Sequence, residues 1–196
     1  SSSSVYGDEK TLPKKEGKTG AVLSPYAASK AVDELYAGVF ESGYNQEIVG
    51  LRYFNVFGPR QDPNGPYAAV IPQWVIGLLK GKPTYIYGDG KTSRDFCYVE
   101  NVVQANLLAA TIKPASGKLY NVAVGARTTL NSLHKALRVL TSNDHLPEYR
   151  PLREGDVRHS LADINAAKSD LGFDPTHALK EGLKLTVDWY KKGKKR

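Results

Sequence analysis

Apolar residues recur at three- and four-residue spacing in several stretches of the chain, and this period predicts amphipathic helices. The predicted helices span residues 25–40, 68–79, 102–112, 130–140, 164–171 and 177–191. Shorter runs rich in β-branched and aromatic residues predict strands. These are residues 47–54, 84–87, 93–99 and 119–124, with a strand end at 1–7, a short extended piece at 160–163 and irregular chain at 142–151. Helices and strands therefore alternate irregularly, which indicates an α/β fold.

The first predicted helix also carries candidate chemistry. Ser24 is a good N-cap, and Pro25 stands at the first helical position, where no backbone donor is needed. The positions expected to form a buried stripe are Ala28, Val32, Leu35 and Val39. Tyr26 and Lys30 are four residues apart and so share one face, where the ammonium would favour the phenolate and lower the pKa of the tyrosine. The pair is a candidate base, although taken alone the spacing is more typical of a surface pair.

Composition narrows the class of protein. The chain has 196 residues, 41% of them apolar and 24% charged, which is typical of a globular domain. No apolar run reaches about 18 residues, so we predict no membrane span. The one cysteine, Cys97, cannot form an internal disulfide, which favours a reducing cytoplasm. Much of the net charge of +7 comes from the basic residues of 191–196, so we predict no nucleic-acid partner. We also predict no metal site.

Several motifs in succession resemble one known family. They are S-S-S-S-V-Y-G-D at 1–8, S-P-Y-A-A-S-K at 24–30 and L-R-Y-F-N-V-F-G-P-R at 51–60. Together they resemble the extended short-chain dehydrogenases/reductases, and within these the UDP-sugar 4-epimerases, especially those acting on UDP-N-acetylhexosamines. The resemblance covers essentially the whole chain, but the family's G-x-x-G-x-x-G turn does not occur in it. We therefore expect the C-terminal part of a larger enzyme.

The resemblance implies a domain organisation. Residues 1–58 would be the retained end of a Rossmann-type, NAD-binding domain that carries the Tyr-x-x-x-Lys helix. Residues 59–196 would be mainly a small mixed α/β domain that binds the UDP-sugar, with some segments returning to the first domain. The intact enzyme would be a homodimer built on a four-helix bundle, to which the first helix contributes.

The resemblance also implies a catalytic set and a cofactor. The set is Ser2, less certainly Ser3, with Tyr26 and Lys30, and the cofactor is NAD, contacted by Tyr26, Lys30 and Tyr53. Tyr26 would take the proton of the sugar 4-hydroxyl while hydride leaves C4, and the serine hydroxyl would share the moving proton. The 4-keto sugar would then turn over and receive hydride on its other face. Affinity should accordingly reside in the nucleotide, with the sugar held loosely.

The substrate-binding residues follow from the same resemblance. Asn55 would contact the diphosphate, Arg94 and Arg153 the phosphates, Tyr87 the uracil ring, Asp156 the ribose hydroxyls, and Val70 and Ile71 the surroundings of the base. Taken singly, each has a simpler interpretation: Tyr87 as core, Arg94 and Asp95 as a local ion pair, Arg153 as solvated. Ser160 stands where a bulky residue limits related enzymes to UDP-glucose and UDP-galactose, and Gln61 and Ala69 match the same pocket. The predicted reaction is interconversion of UDP-GlcNAc and UDP-GalNAc, with slower action on the non-acetylated sugars.

Relatives that catalyse other reactions differ from this chain at the serine run. Related 4,6-dehydratases carry acidic residues where Ser2, Ser3 and Ser4 stand, and decarboxylating relatives have Glu at the position of Ser4. Hydroxyl groups cannot replace those acids, which leaves epimerisation. Two alternatives remain open. The chain as it stands could still be a nucleotide-sugar-binding module without turnover. It could also belong to another NAD-dependent enzyme that modifies nucleotide sugars.

Overall fold

The computed structural model describes residues 1–64, 69–112, 116–152 and 157–193. A 3₁₀ turn at Ser3–Tyr6 precedes the first helix. The α-helices are α1 (Pro25–Tyr44), α2 (Val70–Leu79), α3 (Val99–Thr111), α4 (Leu130–Thr141), α5 (Asn165–Leu171) and α6 (Leu179–Gly193). The strands are β1 (Gly50–Tyr53), β2 (Val56–Phe57), β3 (Tyr85–Tyr87), β4 (Ser93–Arg94), β5 (Cys97–Tyr98), β6 (Leu119–Val122), β7 (Thr128–Thr129) and β8 (Glu148–Arg150).

Parallel pairing dominates among the described strands and confirms the predicted α/β class. Strand β1 pairs in parallel with β6, and Ser2 forms a parallel bridge to Tyr53 on β1. Strands β2 and β5, and strands β3 and β8, also pair in parallel, whereas β4 and β7 are antiparallel. Parallel strands end at one edge, so the chain after β1 and the turn after Ser2 meet there.

Among the described residues there are three hydrophobic clusters, and the two larger ones form the cores of this arrangement. One lies among α2, α4 and α6 and includes Trp74, Leu133 and Leu183. The other lies among β1, β6, α3 and α5. Strand β5 joins the two, because Cys97 packs into the second core and its neighbour Tyr98 into the first. This strand thereby fixes the two parts of the molecule relative to each other.

Two predicted strands differ in detail. Residues 1–7 were expected to be a strand end, but a single bridge at Ser2 gives way to the 3₁₀ turn. Gly7 closes this turn with φ 53°, and a Cβ there would lie 1.9 Å from the carbonyl oxygen of Ala21, so only glycine fits. The predicted strand 93–99 divides into β4 and β5 around Asp95.

Strand β8 lies within 142–151, where irregular chain was predicted. Its residues are all exposed, so it has no apolar alternation that could have indicated a strand. Helix α4 begins at Leu130, as predicted, and its cap is Thr129, whose Oγ1 accepts a hydrogen bond from the backbone N–H of Ser132 at 3.1 Å.

The buried stripe predicted for α1 is wrong. Val32, Leu35 and Val39 are 46%, 70% and 53% exposed. Of the residues of α1, only Ala27 is buried. The helical period was correct, but the described residues provide no surface against this face. The period of a pattern shows which residues share a face, and it does not show whether the chain itself covers that face.

Candidate functional site

Two adjoining cavities open at the edge where β1 and the N-terminal turn end. The first, here the serine cavity, measures about 530 Å³. Its lining comprises Ser1, Ser2, Ser3, Ser4, Tyr6, Gly7, Lys14, Tyr26, Tyr53, Asn55, Val56, Arg94, Val157 and Ser160. The second, here the aromatic cavity, measures about 230 Å³. It is lined by Asn55, Val56, Phe57, Ala69, Val70, Ile71, Gln73, Trp74, Tyr85, Tyr87, Thr92, Arg94, Phe96 and Leu130.

Asn55, Val56 and Arg94 line both cavities and therefore mark their junction. Asn55 has a positive φ of 35° and donates through Nδ2 to the carbonyl oxygen of Asp95 at 3.1 Å. Arg94 Nη1 donates to the carbonyl oxygens of Ser93 and Arg158 at 3.0 and 3.3 Å. An amide and a guanidinium at the junction suit a group with several acceptor oxygens, such as a diphosphate.

Asp95 is fully buried beside this junction. Its carboxylate accepts hydrogen bonds from the backbone N–H groups of Val124, Gly125 and Ala162 at 3.1–3.2 Å. Burial raises the pKa of Asp95 to about 6, and the backbone donors oppose that rise. Asp95 thus fixes backbone segments around the site.

The serine cavity gathers hydroxyl groups from separate segments. Ser2 Oγ accepts from the backbone N–H of Ser4 at 3.2 Å, so it begins the 3₁₀ turn. Ser4 Oγ is buried and has no hydrogen-bond partner among the described residues. Tyr26 is half-exposed in the first turn of α1, which Ser24 caps by accepting from the N–H of Ala27 at 3.1 Å. The Tyr53 hydroxyl donates to Asn106 Oδ1 at 3.0 Å.

The Tyr26–Lys30 pair forms as the spacing predicted. Lys30 Nζ lies 6.0 Å from the centroid of the Tyr26 ring. The same ammonium makes a 2.5 Å ion pair with Asp33, whose hydrogen bond and charge raise the pKa of Lys30. Lys30 is not among the residues that line the serine cavity in the described chain. The sequence analysis missed Asp33, although a carboxylate three residues after a lysine on a helix is a recognisable signal.

The predicted base-binding residues lie together in the aromatic cavity. Val70, Ile71 and Tyr87 line it, as does Ala69, which was expected near the sugar. Two further residues of this lining, Tyr85 and Trp74, were not predicted from the sequence. Tyr85 stands two residues before Tyr87, on the same face of β3, with the guanidinium carbon of Arg150 3.4 Å from its ring centroid. Trp74 Nε1 donates to the Tyr85 carbonyl oxygen at 3.2 Å.

The remaining predicted residues are placed less uniformly. Ser160 lines the serine cavity, and its N–H donates to the Ser93 carbonyl oxygen at 3.0 Å. Gln61 is in neither described lining. Its Nε2 donates to the Val56 carbonyl oxygen at 3.2 Å, and its backbone carbonyl oxygen accepts from the Tyr190 hydroxyl. Arg153 and Asp156 lie outside the described residues.

Lys14 lines the serine cavity and was not foreseen. It is buried, its Nζ donates to the Glu9 carbonyl oxygen, and burial lowers its pKa. Its N–H donates to the Leu161 carbonyl oxygen at 2.7 Å, which joins the loop before α1 to the segment that carries Ser160. A lysine in a polar loop carries no sequence signal for such burial.

Comparisons with known proteins show which family this chain is similar to. A model described as the NAD dependent epimerase/dehydratase family matches residues 1–123. The UDP-glucose 4-epimerase of Mycolicibacterium smegmatis is 37% identical over 192 residues, which cover 97% of this chain and 60% of that protein. The chain thus spans about 60% of the length of this curated relative.

Solved structures give the same result. The UDP-N-acetylglucosamine 4-epimerase of Methanobrevibacter ruminantium M1, in complex with UDP-N-acetylmuramic acid, has 43% identity and a TM-score of 0.93, over 98% of this chain and 62% of that chain. The UDP-glucuronic acid 4-epimerase of Bacillus cereus, in complex with UDP-glucuronic acid and NAD, has 30% identity and a TM-score of 0.90, over 98% and 60%. These likenesses confirm the Rossmann-type α/β fold class. The domain boundary at residue 58 stays a prediction.

Proposed function

The chain belongs to the NAD-dependent epimerase/dehydratase family, and from this premise we propose that it supplies the sugar-binding and acid–base residues of a UDP-sugar 4-epimerase. One observation carries the proposal. An aromatic cavity and a hydroxyl-rich cavity meet at Asn55 and Arg94. A nucleoside diphosphate sugar has the same order of parts: a flat base, two phosphates and a polyol.

The aromatic cavity would hold the uridine. Tyr87 and Tyr85 offer ring faces to the base, with Val70 and Ile71 packing beside it. At the junction, Arg94 and Asn55 would hold the diphosphate, because a planar guanidinium presents paired donors to phosphate oxygens. We place Arg153 on the phosphates and Asp156 on the ribose by family resemblance. Gln61 would act indirectly, by holding the backbone of Val56 at the junction.

The serine cavity would hold the sugar beside the acid–base group. Tyr26 would take the proton of the 4-hydroxyl, and Ser2 or Ser3 would share that proton. Lys30 would stabilise the phenolate from the same helix face. Many hydroxyl groups and few charges allow several weak contacts, which suits a sugar that must turn over between two half-reactions.

The residues present fit NAD on one side of the serine cavity. The buried Ser4 Oγ, which has no partner among the described residues, offers a polar contact for a group that enters there. Tyr26, Lys30 and Tyr53 would hold the nicotinamide and its ribose. When bound there, NAD would supply the acceptor for hydride from the sugar C4.

We further propose UDP-GlcNAc and UDP-GalNAc as the preferred pair, with UDP-glucose and UDP-galactose as slower substrates. Ser160 supports this choice, since a small side chain in the wall of the serine cavity leaves room for an acetamido group. Ala69 lies beside the junction and is similarly small.

The proposed setting is a homodimeric enzyme of the relatives' full length in a reducing cytoplasm. The exposed apolar face of α1 supports dimerisation, since a patch of this kind is typical of an interface. In the described parts of the chain, no helix combines the length and apolar character needed to cross a bilayer.

Calorimetry of this chain with UDP tests the nucleotide site directly. We expect UDP to bind, and Arg94→Met to weaken binding about 10- to 100-fold, because hydrogen bonds to charged groups contribute about 1.5–3 kcal/mol. Lys91→Met is the matched control: it removes a nearby exposed positive charge outside both cavities and should change affinity less than threefold. Equal losses in the two variants would mean that Arg94 acts only through the general field and makes no contact with the phosphates.

A second candidate function is a nucleotide-sugar-binding module without turnover. The observation favouring it is the sequence itself, which contains the residues proposed for UDP but no G-x-x-G-x-x-G segment. Turnover by this chain with added NAD distinguishes an enzyme from this candidate.

A further inference from the structure

We propose that Arg52 and Glu34 are positioning residues whose ion pair fixes helix α1, and with it Tyr26, against the other walls of the serine cavity. The proposal rests on the function proposed above only in giving Tyr26 a role. The contacts themselves stand independently of any reaction.

Helix α1 needs such a link. It is 20 residues long, yet only Ala27 of its residues is buried. A helix gains most of its stability from packing an apolar face, and α1 receives little of that here. Within the described residues, the Glu34–Arg52 salt bridge is the one that joins α1 to another element, since the Lys30–Asp33 pair lies inside the helix.

Arg52 and Glu34 together, here the clamp, connect α1 to strand β1 and to the loop before α1. Arg52 Nε and Nη2 donate to the two carboxylate oxygens of Glu34, each at 2.8 Å. The third donor, Nη1, reaches the Glu16 carbonyl oxygen at 2.8 Å, and the guanidinium carbon lies 4.9 Å from the Tyr6 ring centroid. Arg52 is buried in strand β1. A forked guanidinium can satisfy the helix and the loop together, which a single ammonium cannot do.

Glu34 extends the clamp to the serine segment. The Ser1 hydroxyl donates to Glu34 Oε1 at 2.5 Å. Burial alone would raise the pKa of Glu34, but hydrogen bonds from Arg52 and Ser1 outweigh it and lower the pKa, so the carboxylate stays charged. Tyr26, Lys30 and Glu34 follow one another at four-residue spacing and share a face. The residue that holds Ser1 therefore also sets the orientation of Tyr26.

Amide hydrogen exchange of this chain tests the proposal, with Arg52→Lys as the main variant and Glu34→Gln as the second. We expect exchange within residues 26–44 to become at least tenfold faster in both. Exchange in α4, which packs in the core with α2 and α6, should stay within twofold. Arg52→Lys keeps the charge, so its failure to preserve α1 separates forked positioning from charge neutralisation. Lys118→Met is the matched control, because it removes an exposed pair of the same 2.8 Å length that does not involve α1.

Four results would overturn the proposal: α1 unprotected in the unmodified chain, wild-type exchange of α1 in Arg52→Lys, equal acceleration in α1 and α4, or accelerated α1 exchange in Lys118→Met.

If the single variants do not fold, a Glu34→Met/Arg52→Met chain decides. An apolar pair can replace a buried ion pair without unfolding the protein, but methionine cannot make the forked hydrogen bonds of Arg52. Helix α1 should therefore exchange faster in a folded protein, and unchanged α1 would refute the clamp. No step measures turnover or UDP binding, so this result and the fate of the proposed function can be told apart.

Discussion

Residues at the junction of the two cavities are fixed by backbone contacts. Asn55 holds the Asp95 carbonyl oxygen, and Arg94 holds those of Ser93 and Arg158. Asp95 in turn anchors three further N–H groups. Groups held this firmly lose little freedom when they bind a ligand, which is the advantage of preorganisation.

Ser160 is the residue on which the proposed sugar preference depends. In an enzyme of the relatives' full length, Ser160→Tyr should lower kcat/KM for UDP-GlcNAc at least 100-fold and change that for UDP-glucose less than threefold. The added ring would occupy the acetamido space only. Assays of both epimerisations measure this, with Ser160→Ala as the control that should preserve both. Equal loss for the two substrates in Ser160→Tyr would make the residue structural.

His134 should give the stability of the protein a distinct pH dependence. It is buried against Trp74, with Nε2 2.7 Å from Thr84 Oγ1, and burial lowers its pKa below the ordinary 6.5. Below pH 6.5 the unfolded chain therefore binds a proton that the folded chain resists. The free energy of unfolding should fall as the pH decreases from 7 toward the folded pKa, by up to about 1.4 kcal/mol per pH unit.

Denaturant unfolding of the parent chain and of His134→Gln between pH 7 and 5 checks this. Glutamine can still meet Thr84 but does not titrate, so the difference between the two chains should shrink as the pH falls. His145→Gln, at an exposed position, should run parallel to the parent chain. A constant difference between the parent and His134→Gln would contradict the assignment.

Sequence reasoning found the residues that belong to contiguous motifs and missed those that arrive by folding. The proximity of Tyr26 and Lys30 was predicted from their spacing, and the positions of Ser2 and Asn55 in the serine cavity agree with the motif resemblance. Lys14 reaches the serine cavity through a loop crossing, and Arg150 reaches the ring of Tyr85 from an exposed strand, and neither segment has a periodic signature. The backbone donors to Asp95 are also distant in sequence, and only the fold brings them near.

Among the described helices, α1 buries the smallest share of its residues and exposes the most large apolar side chains. Val32, Leu35, Tyr36, Val39 and Phe40 are all exposed on it. The sequence specified its period, its cap and its start, because those depend on neighbouring residues. It could not specify burial, which depends on partners that the described chain does not contain.

Self-association of this chain should follow from that surface. We expect light scattering over a concentration series to show weak, poorly defined association, because the face lacks the covering that would fix one geometry. Leu35→Lys should reduce it clearly. Val139→Lys, at a comparably exposed position on α4, should not. A tight, uniform dimer of the unmodified chain would show that α1 alone forms a complete interface.

At the scale of the whole molecule, the two cores form one unit through β5, while the site lies where that unit meets α1. The cavities are accordingly built from both parts: the aromatic cavity mainly from the α2 side, and the serine cavity from the N-terminal turn, α1 and β1. The UDP site is therefore expected to persist in this chain, whereas the chemistry depends also on a cofactor.

Turnover is where the two candidate functions differ. This chain carries the proposed acid–base set but no G-x-x-G-x-x-G segment to hold a pyrophosphate at a helix N-terminus. We therefore expect no epimerisation of UDP-GlcNAc or UDP-glucose by this chain with added NAD, while UDP still binds. The measurement is product formation over extended incubation, beside an enzyme of the relatives' full length as the positive control. Its Tyr26→Phe variant should lose at least 100-fold in rate and keep UDP affinity, because the ring stays and only the proton-accepting oxygen is removed. Measurable turnover by this chain would mean that the residues around the serine cavity hold NAD productively without the glycine-rich segment.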